Sequence, residues 1–273
     1  MPSPSEPHAS LPTEALSRTS GEPTISRVLD VPPSPVAGYQ NWQDLFFLHW
    51  TLPPEVVAPL LPQGLALDTH GGHAWIGLVP FRMRNVRPWW SPPIPGISHF
   101  LETNVRTYVT YKNANPGVYF FSLEAANRIA VTAARWGWHL PYHYARMSLT
   151  REHQRVDYTS HRTPHRPDSP FLKMTAVIEG PLAEPHSDGV SGKASPGSLE
   201  EFLAERYLLY TPGANGHLLR GQVLHTPYPL YHCHVEHLSQ SLTTALGLRC
   251  PGPPLHALYS PGMNVRVCRL QPV

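Results

Sequence analysis

Apolar and polar positions alternate along most of the chain after residue 35, a pattern typical of half-buried β-strands. The stretch Gln43–Thr51 is an exception, because its dense aromatic residues predict a strand buried on both faces. Further strands are predicted over residues 65–69, 74–83, 100–109, 118–123, 138–149, 156–160, 171–179, 218–225, 228–234 and 255–268.

Helical patterns are few and short. Pro53-Pro54-Glu55 predicts one short helix, since proline suits a first helical turn. The Ala-rich run Glu124–Trp136 predicts a second helix, with Gly137 as its C-cap. Ser198 and Glu201 form a capping box that predicts a third helix, ending near Tyr210. A fourth helix is predicted over residues 238–247.

These elements predict a mainly β (α+β) protein with one closed or half-closed sheet and a few short flanking helices. Residues 1–35 are rich in Pro and Ser and have few large apolar side chains, so we expect a disordered tail. Residues 36–273 are expected to form the only domain, because the length allows one large core and no repeat divides it.

Composition narrows the functional classes. Net charge is +2 and the basic residues are scattered singly, so no nucleic-acid partner is expected. Three widely spaced cysteines suit a reducing compartment. The sequence contains neither a signal-peptide pattern nor an apolar run long enough to span a membrane. We therefore predict a cytoplasmic protein without a membrane partner, and formation of a homo-oligomer stays open.

The stretch from Phe100 to Met147 carries the most promising chemistry. Strand alternation places Glu102, Asn104 and Arg106 on one face, between Phe100 and Tyr108. One interpretation is a solvent-facing strand. The other is a pocket in which Glu102 is an acid or base and Arg106 binds a carboxylate, with Asn104 as a further binding residue.

Several residues after this strand are further candidates. Tyr142 and His143 are predicted as additional proton donors and Arg135 as an alternative carboxylate anchor. Core packing explains Tyr142 equally well, and a lone histidine is more often structural. His49 in the aromatic strand is predicted to contact the ligand. The cluster His232, Cys233, His234, Glu236 and His237 has ligand-like spacing, but it lacks a distant partner. We interpret this cluster as an exposed strand end and predict neither a metal nor a cofactor.

Several motifs are spread over most of the chain: DLFFLHW at 44–50, LPQGL at 61–65, WIGLVPF at 75–81, FLETNVRTYV at 100–109, GVYFFSL at 117–123, AR before LPY at 134–142, residues 199–210, HTPYPL at 225–230 and SPG at 260–262. In these motifs the chain resembles the YqjF-like family of conserved proteins of unknown function, which is grouped with the acetoacetate decarboxylase-like superfamily. The resemblance implies a single antiparallel, cone-like β-barrel with an interior pocket, in which Glu102 matches the pocket glutamate of the superfamily.

The implied reaction does not transfer as easily as the fold. The superfamily's decarboxylases form a Schiff base on one of two adjacent lysines, whereas Lys112, Lys173 and Lys193 are isolated here. The segment 140–143 stands where the resemblance places those lysines. We therefore predict a pocket for a small organic acid or carbonyl compound, with lysine-independent lyase or isomerase chemistry. A non-catalytic binding or sensing protein is the alternative, and an interior fully packed by side chains would indicate a structural or interaction module.

Overall fold

The computed structural model describes residues 34–164, 166–182, 192–213 and 216–273, so nearly all of the tail predicted over residues 1–35 lies outside the described residues. The described ranges form one 13-stranded sheet with short helices. The strands are β1 Val36–Leu52, β2 Leu65–Leu67, β3 Ala74–Pro88, β4 Phe100–Tyr111, β5 Ala114–Ala125, β6 Tyr142–Glu152, β7 Arg155–Arg162, β8 Phe171–Pro181, β9 Leu208–Pro212, β10 Leu218–Leu224, β11 Tyr231–Gln240, β12 His256–Cys268 and β13 Gln271–Pro272.

Helical structure is confined to short segments. They are α1 Pro54–Val57, α2 Arg128–Trp138, α3 Leu199–Ala204 and the 3₁₀ turns Ala58–Leu60 and Thr244–Leu246. None of the helices in the described ranges combines the length and the apolar character needed to cross a membrane.

Strand pairing closes on itself in two rings that share a wall. The larger ring follows the order β5-β6-β7-β8-β11-β12-β1-β3-β4 and returns to β5. The smaller ring follows β12-β10-β9-β5-β4-β3-β1 and returns to β12 through the β10–β12 pairing. Strands β12, β1, β3, β4 and β5 therefore belong to both rings.

The pairing is not purely antiparallel, which corrects the expectation from the resemblance. Strand β5 pairs in parallel with β6 at Leu123–Tyr142 and with β9 at Val118–Leu209. Parallel neighbours need a crossover connection rather than a hairpin. Helix α2 supplies that crossover, because it follows β5 and precedes β6 in the chain. The helix therefore lies over the wall that the two rings share.

Helix α2 begins later than its alanine-rich sequence predicted. Glu124 and Ala125 continue β5 and pair with β4, so the prediction of a helix from Glu124 is wrong. Asn127 caps the helix instead, because its side-chain oxygen accepts hydrogen bonds from the amides of residues 129 and 130. His139, in the left-handed conformation, ends the helix in place of the predicted Gly137.

The other helices are also shorter than predicted. Ser198 caps α3 by accepting from the amide of Glu201, which confirms the predicted start, but the helix ends at Ala204 because residues 208–212 pair as β9. The helix predicted over 238–247 is wrong, since residues 238–240 belong to β11 and only Thr244–Leu246 are helical.

Two buried cores lie on opposite sides of the shared wall. Phe46, Leu48 and Trp50 of β1 pack into the first core, whereas Leu45 and Phe47 pack into the second. Strands β3 and β4 divide their side chains between the two cores in the same way. A strand buried on both faces needs a nearly continuous apolar run, which explains the aromatic density of β1. The second core encloses the candidate site.

Candidate functional site

A cavity of about 520 Å³ lies within the second core, inside the smaller ring. This volume falls in the usual range for small-molecule sites, so the interior is not fully packed. Strands β1, β3, β4, β5, β9, β10 and β12 line the cavity together with α2 and the start of β6, and most of the lining is apolar. The lining residues with polar groups are Gln40, Trp42, Arg87, Glu102, Asn104, Arg106, Trp138, Tyr142, Arg206 and Tyr228.

Glu102 is a buried carboxyl group held at the cavity wall by Tyr142. Its side chain is 3% exposed, and its Oε2 accepts a hydrogen bond of 2.9 Å from the Tyr142 hydroxyl. Burial raises the Glu102 pKa to about 8, because the ionised form loses hydration, while the Tyr142 hydrogen bond opposes this shift. Glu102 is therefore a neutral acid near pH 7 and can donate its proton into the cavity.

Arg106 supplies a buried positive charge to the same cavity. Its Nη2 donates to the Leu203 carbonyl at 2.8 Å and to the Tyr108 hydroxyl at 3.3 Å. Its Nε has no hydrogen-bond partner, and Arg106 forms no ion pair with the residues that the structure describes. A buried charge without a counter-ion is costly, so this guanidinium is suited to bind an anion.

Arg206, Tyr228 and Asn104 complete the polar lining near Arg106. Arg206 Nη1 pairs with Asp68 Oδ2 at 2.6 Å, whereas its buried Nη2 has no partner among the described residues. Tyr228 is buried, and burial raises its pKa while the nearby Arg106 charge lowers it. Asn104 Oδ1 is likewise buried without a hydrogen-bond partner in the part of the chain that the structure describes. All three residues line the cavity and add polar groups to its wall.

His49 does not line the cavity but lies behind Arg106. Its Nε2 is 2.8 Å from the Tyr108 hydroxyl, and its Nδ1 is 3.1 Å from His256 Nδ1. Burial and the charges of His256 and Arg106 hold its pKa well below the ordinary value, so it is neutral. Because Tyr108 donates to the Leu203 carbonyl, His49 Nε2 must donate to Tyr108. His49 thus supports the residue that fixes Arg106.

Arg135 and His143 do not line the cavity either. Arg135 is exposed on α2, and its Nε donates to the Tyr142 carbonyl at 2.6 Å. His143 points to the opposite side of β6 from Tyr142. Burial lowers the His143 pKa; the charge of Arg162 lowers it further, while that of Glu124 raises it. Of the seven predicted site residues, Glu102, Asn104, Arg106 and Tyr142 come together at the cavity.

Neither the lysines nor the histidine-rich strand contributes to the cavity. Lys112, Lys173 and Lys193 all fall within the described residues, and none of them lines it. His232 and His234 are exposed on β11, with Cys233 buried between them. Across residues 34–164, 166–182, 192–213 and 216–273 no group of three His, Cys, Asp or Glu side chains is arranged to hold a metal ion.

The sequence did not predict six of the polar lining residues, namely Gln40, Trp42, Arg87, Trp138, Arg206 and Tyr228. Arg206 falls in the helix predicted from Ser198 to near Tyr210, and Tyr228 begins the strand predicted over residues 228–234, so neither stood out as a site residue. The signal for Arg206 was its arginine type among the large apolar residues 202, 203 and 207, since a buried arginine requires partners.

Solved structures with the same overall fold come from the acetoacetate decarboxylase-like group. The enduracididine biosynthesis enzyme MppR, complexed with pyruvate, superposes with a TM-score of 0.58 at 10% identity over 89% of this chain and 91% of that one. Acetoacetate decarboxylase from Legionella pneumophila gives 0.52 at 14% identity over 94% and 98%. An acetoacetate decarboxylase-like enzyme from Sphingomonas wittichii RW1 gives 0.56 at 15% identity over 87% and 94%. At such identities the likeness shows the fold alone.

Sequence similarity extends over most of the chain. The chain is 38% identical over 219 residues to the uncharacterized protein YqjF of Bacillus subtilis (strain 168), covering 80% of this chain and 85% of YqjF. A family model described as an uncharacterized conserved protein matches residues 39–264, a range that includes every polar residue of the cavity wall discussed above. The chain therefore belongs to the DUF2071 family of conserved proteins, and its fold is that of acetoacetate decarboxylase-like enzymes.

Proposed function

We propose that the protein binds a small organic acid or carbonyl compound in this cavity and catalyses a lysine-independent reaction of the lyase or isomerase class. The observation that carries the proposal is the neutral Glu102 carboxyl group, held by Tyr142 in a cavity that no lysine lines. Residues 36–273 would then form one domain of the cone-like barrel type, and the two rings of strand pairing support this interpretation.

Glu102 is the acid–base group of this proposal. In its protonated form it can donate a hydrogen bond to a carbonyl oxygen, which polarises the carbonyl and acidifies the neighbouring C–H bond. Once ionised, above about pH 8, it can accept a proton from such a carbon. Tyr142 positions the carboxyl group, and Arg106 provides the counter-charge for a ligand carboxylate.

A thermal-shift assay with a panel of keto acids tests the role of Glu102. A ligand present at about one hundred times its Kd should raise the Tm of the wild type by roughly 5–10 °C. The Glu102→Met variant keeps the approximate size of the side chain but removes the hydrogen-bond donor, so it should lose at least half of this shift. Glu152→Met, on the exposed end of β6, is the matched control and should keep it. Equal shifts for Glu102→Met and the wild type would refute the assignment.

Borohydride trapping tests the exclusion of Schiff-base chemistry. Lys112 and Lys173 are exposed, so acetoacetate and borohydride should leave no specific lysine adduct that a cavity ligand can prevent. A stable adduct at one lysine, blocked by a competing keto acid, would show that the reaction does depend on a lysine.

A non-catalytic binding protein is the second candidate. It is favoured by the cavity lining, in which the described residues include no lysine, cysteine, serine or histidine that could act as a nucleophile. Ligand that stays bound through purification, together with no turnover of any compound that binds, would select this candidate over the enzyme.

A further inference from the structure

The polar groups of the cavity are collected at two separate places. Glu102 and Tyr142 form the first, which we call the acid pole. Arg106, Arg206 and Tyr228 form the second, which we call the guanidinium pole. Each pole has capacity for a ligand, because Tyr142 binds only one oxygen of the Glu102 carboxyl group, and Arg106, which lines the cavity, has no carboxylate partner among the described residues.

The two poles are far apart along one strand. Glu102 and Arg106 lie on the same face of β4, and four residues of a strand span about 13 Å. The Arg106 guanidinium does not bend back toward Glu102, since it is fixed on the Leu203 carbonyl and the Tyr108 hydroxyl, beyond its own position on the strand. The pKa of Glu102 agrees with this separation, because no arginine is among its causes.

The wall between the poles is apolar. Phe47, Val79, Phe81 and Leu123 line it, and all four side chains are buried. Asn104 is the polar exception and lies midway between the poles on β4. A ligand that touches both poles must therefore cover an apolar surface in between.

The charges at the two poles determine which end of the ligand binds at each of them. The Arg206 charge is already balanced by Asp68, whereas Arg106 has no anionic partner among the described residues. The guanidinium pole therefore carries one uncompensated positive charge and suits a carboxylate. The acid pole carries no charge when protonated and suits a carbonyl oxygen.

We propose that the ligand is an elongated keto or aldehyde acid, whose carboxylate binds the guanidinium pole, whose carbonyl oxygen binds the acid pole, and whose chain packs against the apolar wall. This inference rests on the proposed function and extends it to a substrate class. The 13 Å separates the Cα atoms, and because the Arg106 guanidinium lies beyond its own strand position, we take this value as the shortest span between the poles. Two hydrogen bonds of about 2.8 Å take up part of that span, which leaves the length of at least about six carbon–carbon bonds. A short β-keto acid can reach only one pole.

Calorimetric titration with 7-oxooctanoate tests the proposal in the wild-type chain. Octanoate lacks the carbonyl, 2-octanone lacks the carboxylate, and acetoacetate lacks the length. We expect 7-oxooctanoate to bind at least tenfold more tightly than each of these three, because each of them loses one pole. Acetoacetate binding as tightly as 7-oxooctanoate, with both sensitive to Glu102→Met, would overturn the elongated ligand while leaving the proposed function intact. Failure of every keto acid to bind would overturn the proposed function itself.

Variants at the two poles provide a second measurement. Glu102→Met and Arg106→Met each remove the hydrogen-bond donor of one pole and should each weaken 7-oxooctanoate binding about tenfold or more, whereas octanoate should respond only to Arg106→Met and 2-octanone only to Glu102→Met. If Arg106→Met does not fold, Arg206→Lys serves as a milder change at the same pole. Loss of octanoate binding in Glu102→Met would place both contacts at one pole and refute the proposal.

Discussion

Glu102 and Glu124 are both buried glutamates on neighbouring strands, yet their surroundings differ completely. Glu124 accepts two hydrogen bonds from Arg162, at 2.5 Å to Oε1 and 3.1 Å to Oε2, and a third from Ser122. Glu102 accepts one side-chain hydrogen bond, from a neutral tyrosine. Thr103 pairs with Glu124 in the sheet and Glu102 pairs with Ala125, so the two carboxyl groups point to opposite sides of the wall.

This difference separates a carboxylate that stabilises the fold from a carboxyl group that can act on a ligand. A bidentate arginine pair satisfies a buried carboxylate and keeps it ionised, at the cost of leaving it nothing further to bind. Burial without a cation instead favours the neutral acid, which keeps one oxygen available for a ligand. Burial of a carboxyl group is therefore not enough to identify a functional site. The absence of a cationic partner is what distinguishes Glu102 from Glu124 among the described residues.

The largest effect should come from removing the partner of Glu124. Arg162→Met leaves a buried carboxylate without its cation, and we expect a loss of about 4 kcal/mol in the free energy of unfolding at pH 7. Urea denaturation followed by circular dichroism measures this. Arg155→Met is the matched control, because the Arg155–Glu236 pair is exposed and should contribute under about 1 kcal/mol. Equal losses of unfolding free energy in Arg162→Met and Arg155→Met would contradict the difference between the buried and the exposed ion pair.

The second effect concerns the pH dependence of stability. The pKa of Glu102 is raised from 4.5 to about 8 on folding, so the native state binds more protons than the unfolded chain between these values. Stability from this group is therefore greatest below pH 4.5 and is lost as pH rises toward 8. Glu102→Gln cannot ionise, so relative to the wild type it should gain about 3 kcal/mol between pH 4.5 and pH 7.

Urea denaturation at several pH values measures this gain. Glu124→Gln is the control, because it breaks an ion pair and should lose stability relative to the wild type at pH 7. A constant difference between Glu102→Gln and the wild type across the whole range would show that Glu102 is ionised in the native state at neutral pH.

The smallest effect should follow loss of the Tyr142 hydroxyl. Its hydrogen bond stabilises the ionised form of Glu102, so Tyr142→Phe should move the Glu102 pKa further above 8 and cost about 1 kcal/mol of stability. Carbon-13 NMR titration of the glutamate carboxyl groups measures the shift. His143→Asn changes the next residue, on the other face of β6, and should leave this pKa unchanged. A shift of equal size in His143→Asn would restore His143 as a partner of Glu102.

The site strand was predictable because its alternation is regular. Glu102, Asn104 and Arg106 were predicted on one face of β4, and the structure places them on the cavity side. Sequence alone could not choose between a pocket and a solvent-facing strand, because that choice depends on what covers the face. The covering elements, β9, β10 and α2, come from distant parts of the chain.

Other parts of the fold depended on long-range pairing. The Ala-rich run from Glu124 has high helix propensity, but ladder hydrogen bonds with β4 hold its first residues in a strand. The parallel pairing of β5 had no local signal, since each parallel contact involves only two or three residue pairs. His49 was expected to contact the ligand, yet it does not line the cavity, and its Nε2 lies 2.8 Å from the Tyr108 hydroxyl instead.

Helix α2 has a consequence for how this fold can diversify. Its small residues Ala130, Ala133, Ala134 and Gly137 close one side of the cavity, and the helix takes no part in the strand ladders. Larger side chains at these four positions would shorten the available space without disturbing either ring of strands. Substitutions in this helix can therefore change the size of the molecule that the cavity accepts, while the polar residues on the strands of the opposite wall stay the same.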